Sequence, residues 1–184
     1  MQEVLLAFSS AAAKALSSAE VLKIFCRAAG NYFQVSGAYA WHFLAVDQVI
    51  AAQVIAAEAD GWMADHFRNS GLRADDSAIA NQAMYQKRAV YFNAIEPAHD
   101  TMAAEYEAKS MLAVPLLMSG EVIGAAVFLH TAEPHFFSSG HLARATILAA
   151  QLASFLEAIR LAELAREEQR RSEILAEFAH SLHS

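Results

Sequence analysis

Apolar residues near the start of the chain recur at helical spacing, with Leu5, Phe8, Ala12, Ala15 and Leu16 on one face. This predicts helix from Val4 to Ala29. Within that span Ser17 precedes Glu20 by three positions and Val21, Leu22, Ile24 and Phe25 follow, so a capping box restarts the helix at Ser17. Gly30 marks either a local end or a point of close packing. The pattern then changes to alternation. Tyr39, Trp41 and Phe43 are interleaved with Ala40, His42 and Leu44, and Val49, Ile50, Val54 and Ile55 follow. Two strands joined near Val46-Asp47-Gln48 fit this period. Glu58 to Ala74 reads as irregular or briefly helical. "DDSAIANQAMYQKR" reads as a helix capped by Asp76 or Ser77, and Ala89 to Ala94 as a short strand. Ile95 to Lys109 contains Pro97 and reads as a polar, partly helical crossing over one mouth of a sheet.

The stretch "KSMLAVPLLMSGEVIGAAVFLH" predicts a second hairpin, Ser110 to Met118 and Glu121 to His130, turned at Ser119-Gly120. Pro115 inside the first strand requires an edge, a bulge or solvent on its nitrogen side. Gly124 leaves room for a close approach by another segment. Neither strand carries an obvious catalytic group, so the hairpin reads as a floor. A long helix begins at Ser138 or Ser139, with Leu148, Leu152, Phe155, Leu156 and Ile159 as the stripe facing the domain body.

Beyond Ile159 the stripe changes. Leu161, Glu168, Leu175 and Leu182 fall seven apart, and Leu164, Arg171 and Phe178 form a second seam. This is coiled-coil spacing with one polar layer at Glu168 and Arg171. Glu163 and Glu167 are placed to pair with Arg166, Arg170 and Arg171 on the flanks. The expected division is a domain over 1–160 and a linker helix over 161–184 that joins two copies in parallel. A short echo between "FAHSLHS" and "AAKALSS" suggests that the tail opens a further module.

Composition narrows the chemistry. The chain has 184 residues, 56% of them apolar and only 18% charged, with a formal net charge of -7. That suits one packed domain and disfavours a nucleic-acid partner, which calls for a basic surface. No uninterrupted apolar run reaches the length of a membrane span, and the start lacks the basic head of a secretory signal. The expectation is a cytoplasmic protein with no membrane contact. Cys26 is the one cysteine, which excludes an internal disulfide and a four-thiolate zinc site. In its apolar helical setting it reads as a buried, inert thiol.

No glycine-rich phosphate loop with Lys occurs. Asp75-Asp76 reads as a loop or cap. Glu105 and Glu107 do not share a helical face. His130 and His135 flank "TAEP" without further ligands at metal spacing. His180 and His183 are each followed by Ser, where a phosphoacceptor histidine is usually followed by an acidic residue. Candidates for a small-molecule pocket are Trp41, Phe43, Tyr91, Phe92, His99, Tyr106, Ser110 and Met111, aromatic walls with a few polar groups. Strand alternation means that they cannot all line one cavity.

The order helix, hairpin, helix, strand, variable crossing, hairpin, long helix resembles a GAF domain. Ser110, Pro115, Gly120 and Gly124 fill the places of that family's Ser, Pro, turn Gly and last-strand Gly. Phe137-Ser138-Ser139 resembles its entry to the last helix, and "SAIANQAMYQKRAVYFNAI" its middle helix and third strand. The likeness covers roughly Leu16 to Leu164. It implies an α+β fold, a central antiparallel sheet of five or six strands with helices on one side and a roofed pocket on the other. It also implies dimerisation through the terminal helices. Family members bind cyclic nucleotides, bilins, haem or small metabolites, or nothing known, and sit in bacterial signal-transduction proteins. The absence of Cys after Cys26 disfavours covalent bilin and removes the family's methionine sulfoxide reductase chemistry. No "NKFDE" run is present, which disfavours cGMP. The cofactor is left unidentified. The expectation is a non-enzymatic sensory domain of a homodimer, binding an unidentified small molecule and signalling to a C-terminal output or second sensory module. In the full-length protein that output would be a kinase or nucleotide cyclase. The competing expectation is a structural dimerisation module with a vestigial pocket.

Overall fold

The computed structural model describes residues 1–46, 49–134 and 136–184, with the side chains of 45–52 left aside. The predicted turn at Asp47-Gln48, and His135, lie outside the described residues. Two helices come first, α1 (Gln2–Ala12) and α2 (Ser18–Phe33), followed by strands β1 (Gly37–Val46) and β2 (Val49–Ala59). Next come α3 (Met63–Ser70), α4 (Ala78–Gln86), β3 (Val90–Phe92) and α5 (Thr101–Tyr106). The chain ends with β4 (Ser110–Met118), β5 (Glu121–His130) and α6 (Ser139–Leu182). The five strands form one sheet in the order β2-β1-β5-β4-β3, and every neighbouring pair is antiparallel.

Local signals set the element boundaries. Ser17 caps α2 by accepting from the Glu20 N–H at 3.2 Å, while the Glu20 carboxylate accepts from the Leu16 N–H at 2.9 Å. The helix passes through Gly30, which lies against Ala38, and closes at Gln34 in the left-handed region. Ser119 and Gly120 both have positive φ, the conformation of a two-residue hairpin turn of type I′. Gly124 answers a harder constraint: a Cβ there would stand 2.1 Å from the Trp41 carbonyl oxygen. Pro115 lies past the end of β3, which pairs β4 only through Met111 to Ala113, so its missing N–H costs no ladder bond on that side. The stretch read as irregular or briefly helical contains one true helix, α3, ended by Gly71 in the left-handed region.

The sheet separates two cores. On one face α1, α2 and α6 pack against Leu112, Val114, Leu116, Ala126 and Phe128. Phe8 stands edge-on to Phe25 and to Phe155, and Phe33 meets Phe128, so the rings join three helices to β5. Each such fully buried ring contributes about 2–3 kcal/mol of apolar burial. Cys26 is in this core, donating weakly to the Ala56 carbonyl, and burial raises its pKa far above the ordinary thiol range, as expected of an inert thiol. The opposite, distal face carries the short helices α3, α4 and α5 as a roof.

α6 is a single helix of 44 residues that plays two parts. Leu148, Leu152 and Leu156 are buried in the helix-side core, and from Leu161 onward every residue is exposed. By length and composition α6 is apolar enough to cross a membrane. Much of that apolar character is accounted for by the stripe that faces the sheet.

Candidate functional site

The distal face is where the predicted pocket residues must be placed, and the structure divides them. Tyr39 and Trp41 point to this face from β1, and Met111 from β4, all fully buried. The Trp41 indole N–H donates to the Leu72 carbonyl at 3.0 Å, so its polar edge is satisfied by the roof. Phe67 of α3 packs edge-on against both Tyr39 and Trp41. The centre of the layer is therefore solid: Trp41, Tyr106 and Met111 are packed side chains there, with Phe43 partly buried at their flank.

Tyr91 and Ser110 do not join this group. Tyr91 pairs across the sheet with Leu112, and Leu112 belongs to the helix-side core. Ser110 precedes Met111 on β4 and so faces the other way. Its hydroxyl accepts from the Phe136 N–H at 3.3 Å, in the segment leading into α6.

Two hollows flank the solid centre. The first, of about 200 Å³, lies between α4, β3 and the 3-10 turn Pro97–His99. Ile79, Phe92, Ala94 and Ile95 form its apolar walls, with Gln82 and His99 among its polar groups. His99 is largely exposed, 3.7 Å from Glu96. Asp100 closes the wall. Its buried carboxylate accepts from Ser77 Oγ at 2.9 Å, and from the N–H groups of Ile79 at 3.0 Å, Met102 at 2.8 Å and Ala103 at 3.1 Å. One side chain thus caps both α4 and α5, where the helix dipoles favour a negative charge. No cation accompanies it among the described contacts.

A direct connection runs from this hollow to α6. Asn93 sits between Phe92 and Ala94, both of which line the hollow. Its side-chain amide donates to the Phe137 carbonyl at 2.7 Å and accepts from the Phe137 N–H at 3.0 Å. The next residue, Ser138, is the N-cap of α6.

The second hollow, of about 580 Å³ and open to solvent, lies at the other end of the layer between α3 and α5. Behind it Tyr39 and Tyr106 are stacked, with ring centroids 5.4 Å apart. Both hydroxyls are buried; that of Tyr106 is close to Ser70, and that of Tyr39 has no hydrogen-bond partner among the described residues. Burial raises both phenol pKa values far above their usual range, reinforced at Tyr39 chiefly by the neighbouring Tyr106 and at Tyr106 by the charge of Glu105, which a hydrogen bond with Ser70 opposes in part, so the hydroxyls stay protonated. Among the described residues no three His, Cys, Asp or Glu side chains gather as metal ligands.

Reasoning from sequence did not find Asp100, Asn93 or Trp62. Asp100 stands directly before the helical run "TMAAEY", a usable capping signal. Nothing local marks Asn93, whose partner is 44 positions away.

The GAF domain family profile matches residues 15–157 of this chain. No curated protein matches it. Among solved structures, the GAF domain of a phosphoenolpyruvate-protein phosphotransferase from Coxiella burnetii superposes with a TM-score of 0.69 at 17% identity, over 89% of this chain and 96% of that one. The corresponding domain from Acinetobacter gives 0.64 at 14% identity, over 87% and 94%. A free methionine-R-sulfoxide reductase from Neisseria meningitidis, solved with its substrate, gives 0.64 at 19% identity, over 88% and 90%. At these identities the likeness speaks for the fold. The profile match spans nearly all of the folded body and agrees with the sheet order and helical backing, and this chain belongs to the GAF domain family.

Proposed function

We propose that this chain is a sensory domain of a bacterial signal-transduction protein, with the ligand held in the hollow between α4 and β3. GAF domains as a family serve as sensory and ligand-binding regulatory modules. The observation that carries the reading here is the Asn93 clamp. A molecule displacing Phe92 or Ala94 pulls on the one side chain that holds both backbone groups of Phe137, and so shifts the entry of α6. The volume and the walls suit a small apolar or aromatic molecule.

The output runs through 161–184. Leu161, Leu164, Leu175, Phe178 and Leu182 are exposed at 46–68% on the half of α6 that no other described residue covers. Pairing with a second copy at this seam covers them, with Glu168 and Arg171 as the polar layer that sets register. The chain then acts in the cytoplasm as a homodimer, passing ligand state to an output or second sensory module.

Sedimentation of the full chain, of a chain ending at Leu161 and of Asn93→Ala, each with and without indole as the probe, tests this. The full chain self-associates and indole changes that association, the shortened chain stays monomeric, and Asn93→Ala binds indole without the change. A monomeric full chain would refute the dimer seam. An Asn93→Ala variant that responds like the parent would refute the route.

A further inference from the structure

The open hollow between α3 and α5 is built from parts that the sensory reading does not use. Three rings run outward from the core: Tyr39, then Tyr106 at 5.4 Å, then Trp62 at 5.9 Å, the last two planes tilted by only 31°. Trp62 is 58% exposed, although it is the largest type of apolar side chain. It follows Gly61, which holds the left-handed turn at the end of β2.

The charge around these rings is mainly negative. Glu105 and Glu107 line the hollow with a single cation, Lys109. Asp60 is close enough to act on the Tyr39 phenol together with Glu105. One group in the protein already shows what this arrangement attracts. His66 lies edge-on to Trp62 at 5.1 Å and to Tyr106 at 5.9 Å, and its ring nitrogen is bonded to the Glu105 carboxylate.

We propose that this hollow binds an organic ammonium group, held against the exposed ring of Trp62 with Glu105 as its counter-charge. The site is separate from the hollow between α4 and β3 and stands or falls independently of it. Cation–π attraction needs an electron-rich face within about 6 Å of the charge, and a carboxylate beside it, both of which are present. Lys109 decides whether the ligand also bears a carboxylate.

The test uses the full chain and choline. Trp62 emission reports binding, while Trp41, fully buried in the solid centre, reports that the fold is intact. Choline produces a saturable change in Trp62 emission with a Kd below about 10 mM. Its uncharged isostere 3,3-dimethylbutan-1-ol produces none at the same concentrations. Glu105→Gln weakens choline binding at least about tenfold, consistent with loss of a charge-assisted partner. Glycine betaine is the second arm: tighter binding than choline that Lys109→Gln abolishes identifies a zwitterion, and weaker binding a simple cation. Equal binding of the uncharged isostere would overturn the proposal. So would choline binding unchanged in Glu105→Gln, or the absence of any saturable signal for both choline and betaine with Trp41 emission native.

Discussion

The two faces of the sheet are built on opposite terms. The helix-side core is made of interlocking rings and aliphatic chains beneath long helices, and among the described residues His42 and Cys26 are the titratable side chains fully buried there. The distal layer is made of helices of 8, 9 and 6 residues. Its buried polar side chains Ser77 and Asp100 hold the starts of α4 and α5 through hydrogen bonds. Long helices with apolar faces open only with the whole fold. Short helices held by one carboxylate can open alone. The difference assigns stability to one face and response to the other.

The strongest way to break that contrast is at the strand the two faces share. Gly124→Ala places a Cβ 2.1 Å from the Trp41 carbonyl, against backbone that cannot swing aside. It should cost about 3 kcal/mol or more and shift both layers together in chemical denaturation. Loss confined to the distal layer would show that the sheet does not couple the faces.

Asp100→Asn sharpens the contrast by an intermediate amount. An amide replaces one acceptor oxygen with a donor, opposite N–H groups that already donate. The expected cost is about 2 kcal/mol. Hydrogen exchange should show it in α4 and α5 first, with amides of α2 and of the buried half of α6 keeping most of their protection. Equal loss on both faces would refute independent opening of the roof.

The smallest effect concerns the helix-side face. Burial lowers the His42 pKa below its ordinary value of 6.5, while the negative charge of Glu157 only partly opposes this. Above that value the ring is neutral in the folded and unfolded chain alike. As the pH falls through it, the unfolded chain takes the proton first, so stability is lost on acidification. His42→Gln should therefore lose less stability than the parent between about pH 7.5 and about pH 5.5. A parent and variant falling in parallel would remove His42 as a cause.

Much of the fold was legible because it rests on short-range geometry. Ser17 caps α2 as its spacing to Glu20 said it would, and of the alternatives Asp76 or Ser77 and Ser138 or Ser139 the caps are Ser77 and Ser138. The hairpin turn at Ser119-Gly120 needs two residues with positive φ, and the clash at Gly124 admits no side chain. Alternation also warned that the pocket candidates could not all converge. It did not say which would be packed solid, because Trp41 and Tyr106 would serve equally well as core or as pocket wall.

What the chain determined by itself was the period of each element and the places where it stops, since these depend on neighbours a few positions apart. Only the tertiary structure decided that Asp100 would hold two helices, that Asn93 would grip the start of α6, and that Trp62 would cap a stack begun by Tyr39. Those arrangements join residues 21, 44 and 23 positions apart or bury groups that composition treats as ordinary. Their geometry is set by how the layers close over the sheet, and no local preference of the backbone encodes that closure.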